Sequence, residues 1–98
     1  MTGIFKASIG PTQLLVIATG SKVAVPCRVH WIACTPSDPN AAWSLTDDLD
    51  GLSGLVYEHF DTDRHSEHID FFPPLEFHTG LYVLSFLNMS SLTISYEY

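Results

Sequence analysis

The sequence predicts an all-β fold: an antiparallel β-sandwich of about eight short strands, for which a jelly roll is one arrangement. Turn-forming residues recur at short intervals, and the segments between them run about six to twelve residues and are rich in β-branched and aromatic residues. No segment shows a sustained helical apolar stripe with caps. The predicted turns are Gly10-Pro11, Gly20-Ser21, Pro36 to Asn40, Asp50 to Gly54, Asp61 to Asp63, Pro73-Pro74, Thr79-Gly80 and Asn88 to Ser91.

The strands between these turns differ in character. Lys22 to Cys34 alternates, and Pro26 within it indicates an edge strand or a bulge. Leu92 to Tyr96 also alternates, as expected for a strand with one face in the core. Gln13 to Thr19 and Leu81 to Leu87 are apolar on both faces, which predicts cover from a neighbouring subunit. One face of the predicted strand Lys22 to Cys34 carries Val23, Val25, Cys27, Val29, Trp31 and Ala33.

Length and composition favour a single domain over residues 1–98 that associates with other proteins. The chain has 98 residues, of which 46% are hydrophobic, so intrinsic disorder is excluded. Charged residues make up 15%, against about 25% in an ordinary soluble domain. A small domain with so few charges has neutral and apolar surface, which we expect another protein to cover.

The net charge of −7 argues against nucleic acid and anionic membranes as partners. The four bases, Lys6, Lys22, Arg28 and Arg64, are scattered along the sequence. No apolar run approaches the roughly 20 residues of a membrane span, and the N-terminus lacks the apolar stretch of a signal peptide. We therefore expect a soluble protein that is made in a cytoplasm.

Cys27 and Cys34 are not predicted to form a disulfide. They lie seven apart in one predicted strand, which places them on opposite faces and about 23 Å apart. Two thiols alone are also fewer than the four ligands of a structural zinc site. We expect two small, buried hydrophobic side chains.

An acidic, histidine-containing stretch is the strongest candidate for a site. His59, Asp61, Asp63 and His65 have the two-residue spacing that places side chains on one face of a strand, where they would converge on a cation. The favoured alternative is a solvated loop, because no recognised ligand spacing is present. The sequence therefore predicts no metal or cofactor. The stretch continues with Glu67, His68 and Asp70.

Two further patterns favour structural roles. Asp47, Asp48 and Asp50 resemble the start of a calcium loop but lack its closing Glu, so we interpret them as turn residues. Large aromatic side chains at alternating positions are expected in the core, with Trp43 or Tyr57 as exceptions available to a glycan. No Gly-x-Ser-x-Gly elbow or glycine-rich phosphate loop occurs, and an enzyme is not predicted.

The second two-thirds of the chain carries a family resemblance. A strand ends at Leu45-Thr46-Asp47, a Gly-containing loop follows, and the chain closes with Leu92-Thr93-Ile94-Ser95-Tyr96. Between them lies the most specific part, Pro74-Leu75-Glu76-Phe77-His78-Thr79-Gly80-Leu81-Tyr82-Val83. This pattern resembles a class of short proteins encoded by tailed bacteriophages.

The resemblance implies a small, non-enzymatic β-sandwich of the virion. It implies a decoration or cement protein on the capsid surface, whose partners are the major capsid protein and sister copies. A homotrimer is the natural state for threefold lattice positions. The alternative is a tail, neck or fibre-associated module that binds a carbohydrate or receptor.

Two segments are candidates for the interface. The first is an extended, proline-stiffened anchor, whose alternative is a crossover loop packed on its own core. The second is a strand added to a neighbour's sheet, whose alternative is an edge strand of the domain itself. The anchor residues are Phe72, Pro73, Pro74, Leu75 and Phe77, and the added strand, within Ile4 to Ile9, contributes Ile4, Phe5 and Ile9.

Overall fold

The computed structural model describes residues 12–52 and 54–98, and all its regular elements are strands. Two four-stranded antiparallel sheets pack together: sheet A in the order β1-β8-β3-β6 and sheet B in the order β2-β7-β4-β5. The predicted all-β sandwich is confirmed. The strands are β1 (Thr12–Val16), β2 (Gly20–Val23), β3 (Cys27–Pro36), β4 (Ala41–Thr46), β5 (Leu55–Asp61), β6 (Glu67–Phe77), β7 (Leu81–Leu87) and β8 (Met89–Glu97).

The strand pairing is that of a jelly roll. β1 pairs with β8, β2 with β7, β3 with β6 and β4 with β5. These four pairs are nested, so the chain forms one long hairpin that wraps around the core. Every connection passes from one sheet to the other except β4 to β5, which are neighbours in sheet B.

The core lies between the sheets and is built from the inward face of each strand. Trp43 and Phe77 are its largest fully buried side chains. The β3–β4 and β7–β8 turns meet at one end, where Asn88 Nδ2 donates hydrogen bonds to the Pro39 and Asn40 carbonyls. Both asparagines adopt the left-handed conformation that Asn tolerates in turns. The core comprises Val16, Val23, Cys27, Val29, Ile32, Cys34, Trp43, Leu45, Phe77, Leu81, Val83, Leu92, Ile94 and Tyr96.

The predicted strand Lys22 to Cys34 is in fact two strands in different sheets. β2 ends at Val23 and β3 begins at Cys27, so the proline-containing connection crosses between the sheets and leaves Val25 exposed. Since Pro26 has no N–H to donate to a ladder, the chain leaves the sheet there. The prediction of one continuous strand was wrong.

A bulge at His30 reverses the alternation of β3. Val29 pairs with Leu75 and Tyr96, but the next paired residue is Trp31, so one residue lies outside the register. Val29 is inward before the bulge and Ile32 is inward after it. The single apolar face predicted for this strand is therefore wrong beyond Val29.

The bulge also decides where the two cysteines point. Cys27 and Cys34 are both buried and free, as predicted. They were expected on opposite faces because their separation is odd, but the extra residue at the bulge turns both toward the core.

Three predicted turns lie wholly or mostly within strands, and one of them is Asn88 to Ser91, because β8 begins at Met89. Pro73 and Pro74 belong to β6, where residues 71–74 stand opposite His30 alone in a wide bulge. Gly20 begins β2, and the turn before it lies at residues 18–19. Prolines remain in β6 because the bulge and the edge position need no ladder donor from them.

Asp47 ties the β4–β5 loop to the β6–β7 turn. Its carboxylate accepts backbone hydrogen bonds from His78 (2.8 Å), Thr79 (2.7 Å) and Gly80 (3.3 Å). Burial alone would raise the pKa of the carboxyl group, but the three N–H donors outweigh it, and the pKa is lowered. In the same loop Asp48 accepts the N–H of Gly51. These carboxylates shape turns, as the sequence indicated.

Candidate functional site

The predicted anchor segment lies at the wide bulge of β6, and its residues have different environments. Phe72 is 99% exposed, and Pro73 beside it is also exposed. Pro74 is half-buried, and Leu75 packs against the core. Phe77 is 1% exposed and faces the interior. The anchor prediction for Phe77 is therefore corrected, because this side chain fills the core of its own domain.

The second candidate interface segment is Ile4 to Ile9. Ile4, Phe5 and Ile9 lie outside the described residues. Among residues 12–52 and 54–98, β1 forms one edge of sheet A.

An apolar stripe crosses the outer face of sheet B. Ala42 of β4 pairs with Phe60 of β5 on one side and with Leu87 of β7 on the other. Phe60 is 62% and Leu87 is 58% exposed. Because the three residues are direct neighbours on adjacent strands, they form one continuous surface, which we call the sheet B stripe. The next row, in which Ser44 Oγ and Ser85 Oγ lie 2.8 Å apart, is polar.

The strands predicted to be apolar on both faces do carry exposed apolar side chains. Leu15 of β1 and Ile17 after it are 65% and 69% exposed. On β7, Leu84 and Leu87 face outward while Val83 is buried. The outer apolar faces therefore lie on the surface of the described chain.

A polar cluster occupies the interior at the end of the sandwich where β5 and β6, one edge of each sheet, come together. Cys34 and Glu67 are register partners on β3 and β6 of sheet A. His59 reaches them from β5 of sheet B, and its ring stacks on Trp43 at a centroid distance of 5.4 Å. One ligand atom each from Cys34, His59 and Glu67 lie within 4.8 Å of one another. We call these three residues the inter-sheet triad.

Several buried polar atoms at the triad have no hydrogen-bond partner. His59 Nε2 lies 3.2 Å from Glu67 Oε2, but the atoms are not aligned for a hydrogen bond. Asp61 Oδ2 and Trp43 Nε1 are also buried without a hydrogen-bond partner. These three atoms are all the buried side-chain polar atoms without a partner in residues 12–52 and 54–98. Such atoms are rare in native interiors, so three in one place mark this cluster.

Electrostatics at the triad act on the thiol. Burial raises the pKa of Cys34, and the carboxylates of Glu67 and Asp61 raise it further. The Glu67 backbone and the Trp43 indole act in the opposite direction without cancelling the shift. The pKa of the Cys34 thiol is therefore raised above its ordinary value, which favours the protonated form.

The residues of the acidic, histidine-containing stretch face in different directions. His59 and Asp61 turn inward, as their two-residue spacing predicted, whereas His65 Nδ1 lies 3.9 Å from Asp61 Oδ2 at the exposed side. Asp63 is on the surface of the β5–β6 loop. His68 lies outside as well, with Nε2 3.0 Å from an oxygen of Asp70 and its ring 4.8 Å from that of Trp31. Only part of the predicted set therefore converges.

Sequence reasoning missed Cys34 as a member of this cluster. The thiol was classed as a small apolar side chain, and its facing residues come from strands far away in sequence. The available signal was two-residue spacing: His59 shares a strand face with Tyr57, and Glu67 shares one with Ile69, and both of these apolar residues pack against the core.

The aromatic side chains proposed as exceptions to the core lie inside. Trp43 is 1% exposed. Tyr57 is half-buried and packs on Trp43 and edge-on against Phe71. The prediction of Trp43 as a glycan contact is therefore corrected, because its ring is enclosed in the core.

Comparison with known proteins provides no relative. No family model, curated protein or solved structure matches this chain. Among the described residues no helix has the length and apolar character needed to cross a membrane.

Proposed function

We propose that this protein is a non-enzymatic structural component of a bacteriophage particle. It acts as a cement or decoration protein on the capsid surface that bridges subunits of the major capsid protein and sister copies of itself. The observation that carries this proposal is the exposed apolar surface, Phe72 and the sheet B stripe, on a chain with few charged residues.

The sheet B stripe has the properties of a contact surface. Single exposed apolar residues are common on monomers, but Phe60, Ala42 and Leu87 are continuous across three strands. Covering the exposed 62% of Phe60 removes roughly 120 Å² from water, if the whole side chain presents about 200 Å². At about 25 cal/mol per Å² this is a gross hydrophobic gain of about 3 kcal/mol, from which the entropy lost on association is subtracted.

Phe72 has the properties of an anchor. Its ring is 99% exposed, so all of its surface is available to a partner pocket. The adjoining prolines, Pro73 and Pro74, restrict the backbone that presents the ring, which reduces the entropy lost on binding. Buried aromatic anchors of this kind supply a large share of interface energy.

The size of the molecule suits a bridging role. Its accessible surface is 5811 Å², and one standard interface covers about 800 Å² per partner. Two or three such contacts leave more than half of the surface in solvent. A protein this small can therefore contact several neighbours at once, as a cement protein must.

The second candidate function is a tail, neck or fibre-associated module that binds a carbohydrate. It is favoured by Trp31, which lies on the outer face of sheet A beside His68 and Asp70. An aromatic ring next to polar groups is suited to a sugar. Trp31→Ala abolishing binding on a glycan array, with Phe72→Asp without effect, would support this alternative.

Copy number in the particle tests the proposal. Mass spectrometry of purified particles of the encoding phage should find on the order of hundreds of copies, as lattice-wide decoration requires. About a dozen or fewer would indicate a tail or portal ring instead, and absence from the particle would refute any virion role.

Variants then connect the role to the surface. Phe72→Asp should weaken rebinding to undecorated capsids by about 30-fold, or about 2 kcal/mol, as expected for an aromatic anchor. Leu52→Asp is the matched control, since Leu52 is 83% exposed but lies in the β4–β5 loop. Equal binding by wild type and by Phe72→Asp combined with Phe60→Asp would refute the proposed contact surface.

A further inference from the structure

We propose that the inter-sheet triad of Cys34, His59 and Glu67 binds one divalent transition-metal ion, with Zn²⁺ as the expected ion. The site is independent of the virion role proposed above. It joins β3 and β6 of sheet A to β5 of sheet B, so a bound ion adds a direct link between the two sheets.

The distances are close to those of a zinc coordination shell. Zinc bonds of about 2.0–2.2 Å to nitrogen and oxygen and about 2.3 Å to sulfur place tetrahedral ligand atoms about 3.3–3.6 Å apart. His59 Nε2 and Glu67 Oε2 already lie 3.2 Å apart. The widest separation within the triad is at most 4.8 Å. Closing the shell therefore takes side-chain movements of about 1 Å, within the range of small χ adjustments.

The donor set selects the metal. Thiolate, imidazole and carboxylate together suit borderline ions such as Zn²⁺ and Co²⁺. Ca²⁺ and Mg²⁺ take oxygen ligands and do not use a thiolate. Three protein ligands leave a fourth position for water or for Asp61, whose carboxylate lies two residues from His59 on the inward face of β5.

The unpartnered atoms form the second line of argument. His59 Nε2, Asp61 Oδ2 and Trp43 Nε1 are buried here without hydrogen bonds. A metal ion would take the lone pair of Nε2. The resulting thiolate would accept a hydrogen bond from the Trp43 N–H, which has no partner otherwise. One ion thus accounts for His59 Nε2 and Trp43 Nε1, and for Asp61 Oδ2 as well where Asp61 fills the fourth position, although burial of these atoms is otherwise costly.

The surroundings provide orientation and access. Stacking on Trp43 fixes the plane of the His59 ring. Cys34 is buried, whereas the Glu67 side chain is 39% exposed. An ion can therefore enter past Glu67 and be held from the interior by the thiolate, which is the arrangement of a site with an entry path.

The test is titration of chelator-treated, folded protein with Co²⁺, followed by competition with Zn²⁺. We expect one equivalent to bind and to produce a thiolate-to-cobalt charge-transfer absorption, which Zn²⁺ then removes. Cys34→Ser should abolish this absorption. Glu67→Gln and His59→Asn should weaken Zn²⁺ binding by at least about 100-fold, since even outer-shell changes cost 10- to 100-fold.

The chain offers matched controls for each ligand. Cys27→Ser removes the other buried thiol of β3, and His68→Asn removes an exposed imidazole outside the triad. Both should bind Co²⁺ as wild type does. Circular dichroism of every variant establishes that it is folded. If Cys34→Ser does not fold, X-ray absorption of the zinc-loaded wild type decides, with one sulfur among the ligands as the expected result.

Three results would overturn the proposal. They are the absence of stoichiometric binding by the folded wild type, a charge-transfer band that survives in Cys34→Ser, and a zinc spectrum without sulfur. If the band survives in Cys34→Ser and is lost in Cys27→Ser, the second of these results also identifies the other thiol as the ligand.

Discussion

Replacing Asp47 should destabilise the fold more than replacing any other surface acid. Its carboxylate accepts three backbone hydrogen bonds from residues 78–80. A hydrogen bond to a charged group contributes about 1.5–3 kcal/mol, so three sum to about 4.5–9 kcal/mol before solvent is considered. The bonds to His78 and Thr79 are exposed, and water replaces much of them in a variant. We therefore expect Asp47→Ala to cost about 2–4 kcal/mol.

The two carboxylate oxygens make Asp47→Asn an intermediate variant. Oδ1 accepts the bonds from Thr79 and Gly80, and Oδ2 accepts the bond from His78. An amide retains one acceptor oxygen, so it keeps the first two bonds and places its NH₂ against the third donor. Asp47→Asn should cost less than Asp47→Ala. Asp63→Asn, in the exposed β5–β6 loop, is the control and should change stability by less than about 0.5 kcal/mol.

The pH dependence follows from the lowered pKa of Asp47. Because the folded pKa lies below the unfolded value of about 3.9, the stabilisation is complete above that value and is lost as the pH falls through the folded pKa. The gap between wild type and Asp47→Asn should therefore be largest near neutral pH and shrink below about pH 4.

Urea denaturation measures all of these effects, with a lower midpoint at unchanged m-value as the expected result. A cost below about 0.5 kcal/mol for Asp47→Ala would place it among ordinary surface substitutions and refute the assigned role. A gap between wild type and Asp47→Asn that stays constant down to pH 2 would show that the carboxylate charge is not the source.

Two further outcomes follow from burial. Trp43→Ala should lower the free energy of unfolding by about 3–5 kcal/mol in a urea titration, because the side chain is 1% exposed; a loss below 1 kcal/mol would contradict its place in the core. Burial, with a smaller contribution from Asp47, raises the pKa of Cys27 to about 11, so its thiolate fraction near pH 8 is about 100-fold below that of an ordinary cysteine. A disulfide reagent should accordingly label Cys27 at least that much more slowly in folded Cys34→Ser protein than in urea, and equal rates would refute the burial.

The fold class was predictable because turn chemistry and alternation are local. All of the predicted turn Pro36 to Asn40 except Pro36, the last residue of β3, lies between strands, as does Thr79-Gly80. Glycine, proline and asparagine satisfy the turn geometry there. Leu92, Ile94 and Tyr96, which alternate with polar residues in the sequence, all belong to the core. Such signals need no knowledge of which strands pair.

The facing of β3 and β6 was not predictable, because it depends on register with strands distant in sequence. The bulge at His30 reverses the alternation of β3 and brings Cys34 inward. The matching bulge on β6 exposes Phe72, while Phe77 beyond it lies in the core. The sequence therefore identified His59 and Glu67 in a candidate stretch but could not add Cys34 to them, and it could not separate Phe72 from Phe77.

The nested pairing has a consequence for biosynthesis. β8 is made after the other strands, yet it lies between β1 and β3 in sheet A. When synthesis has reached the end of β7, β1 therefore has no partner strand in sheet A. The core also lacks Leu92 and Ile94 at that stage. β8 must be synthesised before β1 and β3 can be joined in one sheet. A nascent polypeptide halted earlier is a substrate for proteases rather than a shorter working molecule.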